Sequence, residues 1–260
     1  MKIGFIGLGN VGGKLSGSIL RNGLDLMVRD LDKSAAQHLL DAGATWADSP
    51  KEMAQACDKE MAQACDVVIT CLPSPAASAA VLEAEDGLLA GFGPGKVWME
   101  MSTTDEAEVK RLGEKVRPVS GGCHRAATGN IAIFAGCERE TFEKIMPVLK
   151  TMGRRLLHTG ELGSASTLKV MTNYLATANL LTVCEALVTS AAAGIDLNTT
   201  YEAIAISSGN SFVHETESQV ILNGSRDINF TMDLVKKDIG LSVSASGRQT
   251  SSSASRKRRA

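Results

Sequence analysis

Aromatic residues are scarce in this chain: Phe, Trp and Tyr together make up 4% of its 260 residues. An all-β fold draws heavily on aromatic and β-branched side chains, so that class is disfavoured, and a core of Ala, Val, Leu, Ile and Met suits α/β or helical layers. The six cysteines, at 57, 65, 71, 123, 137 and 184, include no CxxC pair and no grouping with histidine at zinc-ligand spacing. Neither a disulfide frame nor a metal centre is expected. An uninterrupted apolar run of about 18 residues, as a membrane span requires, is absent. The opening MKIGFIG passes straight into a strand and lacks the charged head, apolar run and cleavage site of a secretory leader. A cytoplasmic protein with no membrane partner is the expectation.

Basic charge is also sparse outside the last residues. The net charge is −2, but Arg248, Arg256, Lys257, Arg258 and Arg259 fall within residues 242–260, where there is no acid; the remaining 22 basic and 29 acidic residues give the body −7. Nucleic acid, which needs clustered Lys and Arg to neutralise phosphate, is not expected as a partner. Seven of those nineteen last residues are serine. Such a segment buries too little apolar surface to offset its ordering entropy, and it reads as a disordered, solvated tail.

At roughly 100–200 residues per domain, the length suggests two domains. Ile3 to Ile6 form a short apolar run, followed by GLGNVGGKLSGSILRNG, in which Val11, Leu15, Ile19 and Leu20 stand at helical spacing. LDLMVRDLD then reads as a second strand and SAAQHLLDAGA as a helix closed by glycine. Further buried strands are expected from Asp66 and from Lys96, with helices over Pro75 to Leu82 and Asp105 to Lys115. This alternation implies a Rossmann-like doubly wound parallel sheet. Only Val116 and Arg117 remain for a strand before Pro118, so that part of the sheet is expected to be abbreviated. After Ile131 to Ala135 and a helix over Arg139 to Met152, strand signals fade. A long Ala/Leu/Val/Thr-rich stretch from Leu162 to Ala193 and shorter ones over Asn198 to Ser207, Phe212 to Leu222 and Met232 to Leu241 predict a second, all-α domain. The divisions are therefore 1–159, 160–241 and the tail 242–260. KEMAQACD occurs twice in succession, at 51–58 and 59–66; in a continuous helix, eight extra residues would add about 2.2 turns. One copy is expected to pack before the Asp66 strand and the other to project or loop out.

Gly7-x-Gly9-x-x-Gly12 follows a strand and opens a helix, the context in which this spacing signals a dinucleotide. Leu8, Asn10 and Val11 complete the turn. The first glycine allows the tight turn, the second lets backbone approach a pyrophosphate, and the third allows helix and strand to pack closely. Asp30, 18 residues beyond Gly12, stands where a carboxylate accepts the ribose hydroxyls and repels a 2′-phosphate. NAD is therefore favoured, and Arg29 beside it leaves NADP open.

This pattern, with PVSGG from Pro118, GELGSASTLKVMTN from Gly160 and KKDIGL from Lys236, resembles the β-hydroxyacid dehydrogenase family, of which 3-hydroxyisobutyrate dehydrogenase is the best-known member. The resemblance covers about residues 1–241. It implies a Rossmann-like domain followed by an all-α substrate and dimerisation domain, a homo-oligomer, and an active site in the cleft between the domains. It further implies that Ser120, Gly121 and Gly122 receive a small substrate carboxylate, that Lys169 is the catalytic acid/base, and that Asn173, one helical turn on, orients substrate or lysine. Lys237 would lie near substrate or nicotinamide, with Lys236 the solvated one of the pair. Leu72 and Pro73, and Ser102 and Thr103, would contact the cofactor. Ser208, Gly209 and Asn210 could line the far wall, and His124 beside Cys123 could touch substrate; His38, His158 and His214 have surface or packing roles. Family members continue with further helices after Leu241, so the second domain is expected to be truncated. The reaction implied is hydride transfer between nicotinamide and a small β-hydroxy acid or its semialdehyde. Reductases of tartronate semialdehyde, glyoxylate or succinic semialdehyde within the family, and a non-catalytic NAD-binding module, stay open as alternatives.

Overall fold

Short apolar runs bounded by glycine, proline or a capping residue become the strands of one sheet. The structure, a computed structural model, describes residues 1–55, 65–115, 117–120, 131–225 and 231–243, with side chains described at all of these except 117–120. The strands are β1 (Lys2–Ile6), β2 (Asp25–Arg29), β3 (Thr45–Trp46), β4 (Val67–Thr70), β5 (Val97–Glu100), β6 (Arg117–Ser120), β7 (Ile131–Gly136) and β8 (Gly153–Gly160). They lie in the order β3-β2-β1-β4-β5-β6-β7-β8.

The helices over this half are α1 (Gly12–Arg21), α2 (Gln37–Asp41), α3 (Pro50–Ala54), α4 (Pro75–Glu83), α5 (Glu106–Gly113) and α6 (Arg139–Met152). Strand side chains alternate between two cores. Ile3, Phe5, Val67, Ile69, Val97 and Met99 join Leu15 and Ile19 of α1, Leu39 of α2 and Phe142 and Ile145 of α6. Ile6, Val68 and Trp98 join Met53 of α3, Leu82 of α4 and Leu112 of α5. Both faces of the sheet are thus covered, as a doubly wound fold requires. Each such side chain contributes about 1.5–3 kcal/mol on burial. The one polar atom of Trp98 is satisfied, its Nε1–H donating to Thr70 Oγ1 at 2.8 Å.

The parallel sheet read from the sequence runs from β3 to β6. β7 then pairs antiparallel to β6, with Ser120 opposite Gly136 among the described residues, and β8 runs parallel to β7. The abbreviated strand expected before Pro118 runs instead over Arg117–Ser120, through Pro118, and two more strands lie beyond it. Sequence pattern did not reveal β8, because Arg154 and Arg155 are exposed and no apolar alternation survives; charge of this kind is how a sheet guards a terminal strand.

The tandem repeat is divided between two jobs. Its first copy forms most of α3, capped by Ser49, whose hydroxyl accepts from the Glu52 N–H at 3.0 Å, with Pro50 in the first turn. Met53 and Ala54 are fully buried. The second copy supplies Cys65 and Asp66 at the start of β4, where the Asp66 carboxylate accepts from the Lys2 N–H at 3.0 Å. Burial pushes the Cys65 thiol up to about 12. The Cys65 N–H donates to the Met53 carbonyl at 3.2 Å. With one copy fewer, that pair would be four residues apart, the spacing of an ordinary helical bond. The described part of α3 ends at Ala54; where the rest of the extra copy projects or loops lies outside the described residues, as 56–64 are not among them.

The chain divides into two compact units, residues 1–169 and 170–260. The boundary falls within α7 (Ser164–Ala192), which is followed by α8 (Leu197–Ala205), α9 (Phe212–Leu222) and α10 over 232–243. Among the described residues, α7 alone is long and apolar enough to cross a membrane, and little of its most apolar stretch is buried. α8 and α9 meet around His214, which is fully buried. Its Nε2 faces the Tyr201 carbonyl at 3.0 Å and its Nδ1 the Ser218 hydroxyl at 3.0 Å. A neutral ring therefore donates from Nε2 and accepts at Nδ1.

Candidate active site

Parallel register lines up the last residues of five strands. Arg29, Ile6, Thr70, Glu100 and Ser120 stand side by side across β2, β1, β4, β5 and β6. Open α/β sheets bind ligands beyond this edge, at the point where the strand order reverses, here between β1 and β4.

Gly7 leaves β1 with φ +94°, its N–H donating to the Arg29 carbonyl at 3.0 Å. A Cβ at Gly12 would overlap the Gly7 carbonyl, whereas one at Gly9 would meet nothing within 4 Å. The outer glycines let the turn close on itself, and the middle one faces open space. Gly9, Asn10 and Val11 are exposed while Leu8 is buried. α1 begins with no side-chain cap, whereas Ser49, Ser74 and Asp105 cap α3, α4 and α5. Backbone that can be approached closely, beside an uncovered helix N-terminus, fits a dinucleotide pyrophosphate.

Asp30 follows β2 and braces this turn: its Oδ2 accepts from the Leu8 N–H at 2.6 Å and its Oδ1 from the Asp32 N–H at 3.1 Å. A carboxylate has about four acceptor positions, so lone pairs remain for ribose hydroxyls. Arg29 is turned to other work, its Nη1 donating to the carbonyls of Ala47 at 3.2 Å and Asp48 at 2.5 Å. Leu72, after β4, donates its N–H to the Ser102 hydroxyl, after β5, at 2.7 Å. Pro73 is exposed and Thr103 half-buried. Ser120 is the last residue of β6; Gly121, Gly122, Cys123 and His124 lie outside the described residues.

Lys169, near the start of α7, is 4% exposed, although Leu168 beside it is 41% exposed. In the second unit, Asn173 is also buried, and its Nδ2 donates to Asp238 Oδ2 at 2.6 Å. Asp238 is buried too, with Lys237 Nζ 3.5 Å from its other oxygen. Sequence reading missed Asp238: it stands 65 residues from its partner, inside the KKDIGL motif whose lysines drew attention instead. Lys236 is exposed. Ser208, Gly209 and Asn210 form the exposed α8–α9 connection, where the Asn210 amide donates to Glu215 at 2.9 Å. His158 faces the Cys137 carbonyl at 2.7 Å, and His38 is exposed. No group of three or more His, Cys, Asp or Glu among the described residues could hold a metal ion.

Two family profiles match the chain: "NAD binding domain of 6-phosphogluconate dehydrogenase" over residues 2–160 and "NAD-binding of NADP-dependent 3-hydroxyisobutyrate dehydrogenase" over residues 163–254. The second match continues beyond Leu241. The chain is 31% identical to 2-(hydroxymethyl)glutarate dehydrogenase of Eubacterium barkeri, covering 94% of this chain and 82% of that one. It is 32% identical to NAD-dependent L-serine dehydrogenase of Pseudomonas aeruginosa, covering 96% and 87%. Among solved structures, 3-hydroxyisobutyrate dehydrogenase of Mycobacterium tuberculosis with L-serine has the same fold, with a TM-score of 0.84 at 22% identity over 96% of this chain and 87% of that one.

Proposed function

The chain belongs to the β-hydroxyacid dehydrogenase family of NAD(P)-dependent oxidoreductases acting on CH–OH groups, and from that premise we propose that it interconverts a small acid of the form HOCH2–CH(R)–COO⁻ and its semialdehyde, using NAD. L-serine and 2-(hydroxymethyl)glutarate, the compounds named for two relatives, share that skeleton and differ in R. The class is therefore a primary alcohol one carbon removed from a carboxylate, and R is what varies. NAD, when bound, accepts the hydride at the nicotinamide ring.

The observation that supports this reading best is the burial of Lys169 at 4% exposure. Oxidation of the alcohol requires the hydroxyl proton to leave as the hydride leaves, and a neutral lysine amine can take it, then return it in the reverse direction. Asn173 donates one amide hydrogen bond to Asp238, which orients its side chain for a role beside the substrate or the lysine. Ser120, with the glycines after it, is assigned to the substrate carboxylate, and Lys237 to the neighbourhood of substrate and nicotinamide. Asp30 supports NAD over NADP because a 2′-phosphate would meet a carboxylate, while Arg29 is engaged with backbone carbonyls.

The division of labour that goes with this reading gives residues 1–159 to the cofactor and 160–241 to substrate alignment and self-association. Tyr174, Leu181 and Val188, seven residues apart along α7, are 50%, 62% and 69% exposed. A second copy of this chain laid along that stripe would bury it, and Lys169 and Asn173 on the same helix argue against a lipid surface. A cytoplasmic setting suits the free thiols of Cys65, Cys71, Cys137 and Cys184.

Titration of the purified protein with NADH and NADPH by nicotinamide fluorescence, followed by a panel of small semialdehydes monitored by nicotinamide absorbance, tests the proposal. Tighter NADH binding and oxidation by a carboxylate-bearing semialdehyde is the expected result. Binding without turnover of any aldehyde would overturn it in favour of a non-catalytic dinucleotide module.

A further inference from the structure

Glu100 ends β5 with no solvent exposure at all. A carboxyl group in that position is costly whether ionised or left without partners, and an apolar side chain would pack the site more favourably. Its Oε1 accepts from the Ser102 N–H at 2.8 Å. The Ser102 hydroxyl in turn accepts from the Leu72 N–H at 2.7 Å. One continuous path therefore runs from the end of β5, through the loop that follows it, to the loop that follows β4. The register sets Glu100 between Thr70 and Ser120, in the middle of the row beyond which the cofactor is expected. Its other oxygen, Oε2, and the hydroxyl of buried Ser78 on α4 have no hydrogen-bond partner. Burial raises the carboxyl above the ordinary range, and hydrogen bonding to Ser102 only partly offsets that. Among the described residues, the bond from the Ser102 N–H is the geometrically clear hydrogen bond that holds this carboxyl.

We propose that Glu100 is a positioning residue: by holding the Ser102 backbone it sets the Ser102 hydroxyl that locks the Leu72 loop, so that both cofactor-contacting loops move as one body. The proposal rests on the reading above for what the loops hold, but the clamp itself is independent of any ligand. Loops locked before binding need not be ordered by the cofactor, and that saving is realised as affinity.

Four variants test it: Glu100→Met, which keeps the volume and removes the acceptor; Glu100→Gln, which restores it; Ser102→Ala; and the double variant Glu100→Met/Ser102→Ala. Glu100→Met and Ser102→Ala are each expected to weaken NADH binding about tenfold. The double variant should be no weaker than either, because both break one path. Glu100→Gln should bind NADH within about twofold of the parent. Amide hydrogen exchange without cofactor should show lost protection at Leu72 and Ser102 in Glu100→Met and its return in Glu100→Gln. Unchanged exchange at Leu72 in Glu100→Met, or multiplicative losses in the double variant, would overturn the proposal. If Glu100→Met does not fold, Glu100→Asp, which withdraws the acceptor by one methylene, takes its place with the same expectations. A parent protein that binds neither dinucleotide would defeat the proposed function, and hydrogen exchange at Leu72 would still decide the clamp.

Discussion

The turn after β1 and the paired loops after β4 and β5 lie along one edge of the sheet and are made by opposite means. At the turn the design consists of missing atoms: no Cβ at Gly12, where one would overlap the Gly7 carbonyl, none at Gly9, where space is left open, and no cap on α1. At the loops it consists of added ones, a buried carboxyl and a hydroxyl joining segments 30 residues apart. At Gly12 the turn has no room for an extra atom, and on the clamp proposed above the loops depend on atoms that are present. Lys169, Asn173 and Asp238 follow the second pattern.

The largest effect expected from breaking the added-atom pattern is at Lys169. Lys169→Ala should lower kcat about 10²–10⁴-fold while leaving the NADH dissociation constant within about twofold, measured by steady-state kinetics and fluorescence titration. An active variant would remove the lysine from the chemistry. The missing-atom pattern is broken most directly by Gly12→Ala, which inserts one methyl against backbone. A loss of about 1–3 kcal/mol of stability in denaturant unfolding, together with weakened NADH binding, is expected.

Asp30 belongs to both patterns, since it braces the bare turn with a side chain. Asp30→Ala removes the acceptor of the Leu8 N–H and should cost about 1–3 kcal/mol of stability. It should also narrow the NADH over NADPH preference about tenfold, as read from parallel titrations. The smallest effect sharpens the picture at Glu100. Burial raises its carboxyl in the folded state, so the stability it contributes is fully present below the unfolded value and is lost as pH rises through the folded one. Glu100→Gln should flatten that decline in Tm, and an unchanged slope would mean that the carboxyl does not titrate on folding.

The same contrast explains how far the site could be read from sequence. Glycine spacing is local, so the turn, its helix and Asp30 were legible within thirty residues. So were the helices from Arg139 to Leu222, whose ends are marked by Asp196 and Ser211 as caps. Asp238 and the clamping role of Glu100 were not, because each depends on which distant backbone or amide it meets. β8 escaped for a related reason: a terminal strand with exposed arginines has no alternation to betray it, and its place is set by pairing with β7.

The hydrogen bond from Cys65 to Met53 bears on the history of the chain as well as its packing. Since KEMAQACD is repeated without change, cutting out any eight consecutive residues within 51–66 yields the same shorter polypeptide. That polypeptide still supplies a Met and an Ala for the helix and a Cys and an Asp for the strand. The two copies are thus interchangeable in sequence, and either could supply these four residues. Met53 and Cys65 stand as two fixed points on either side of the duplicated residues, and β4 pairs with β1 in register directly after them.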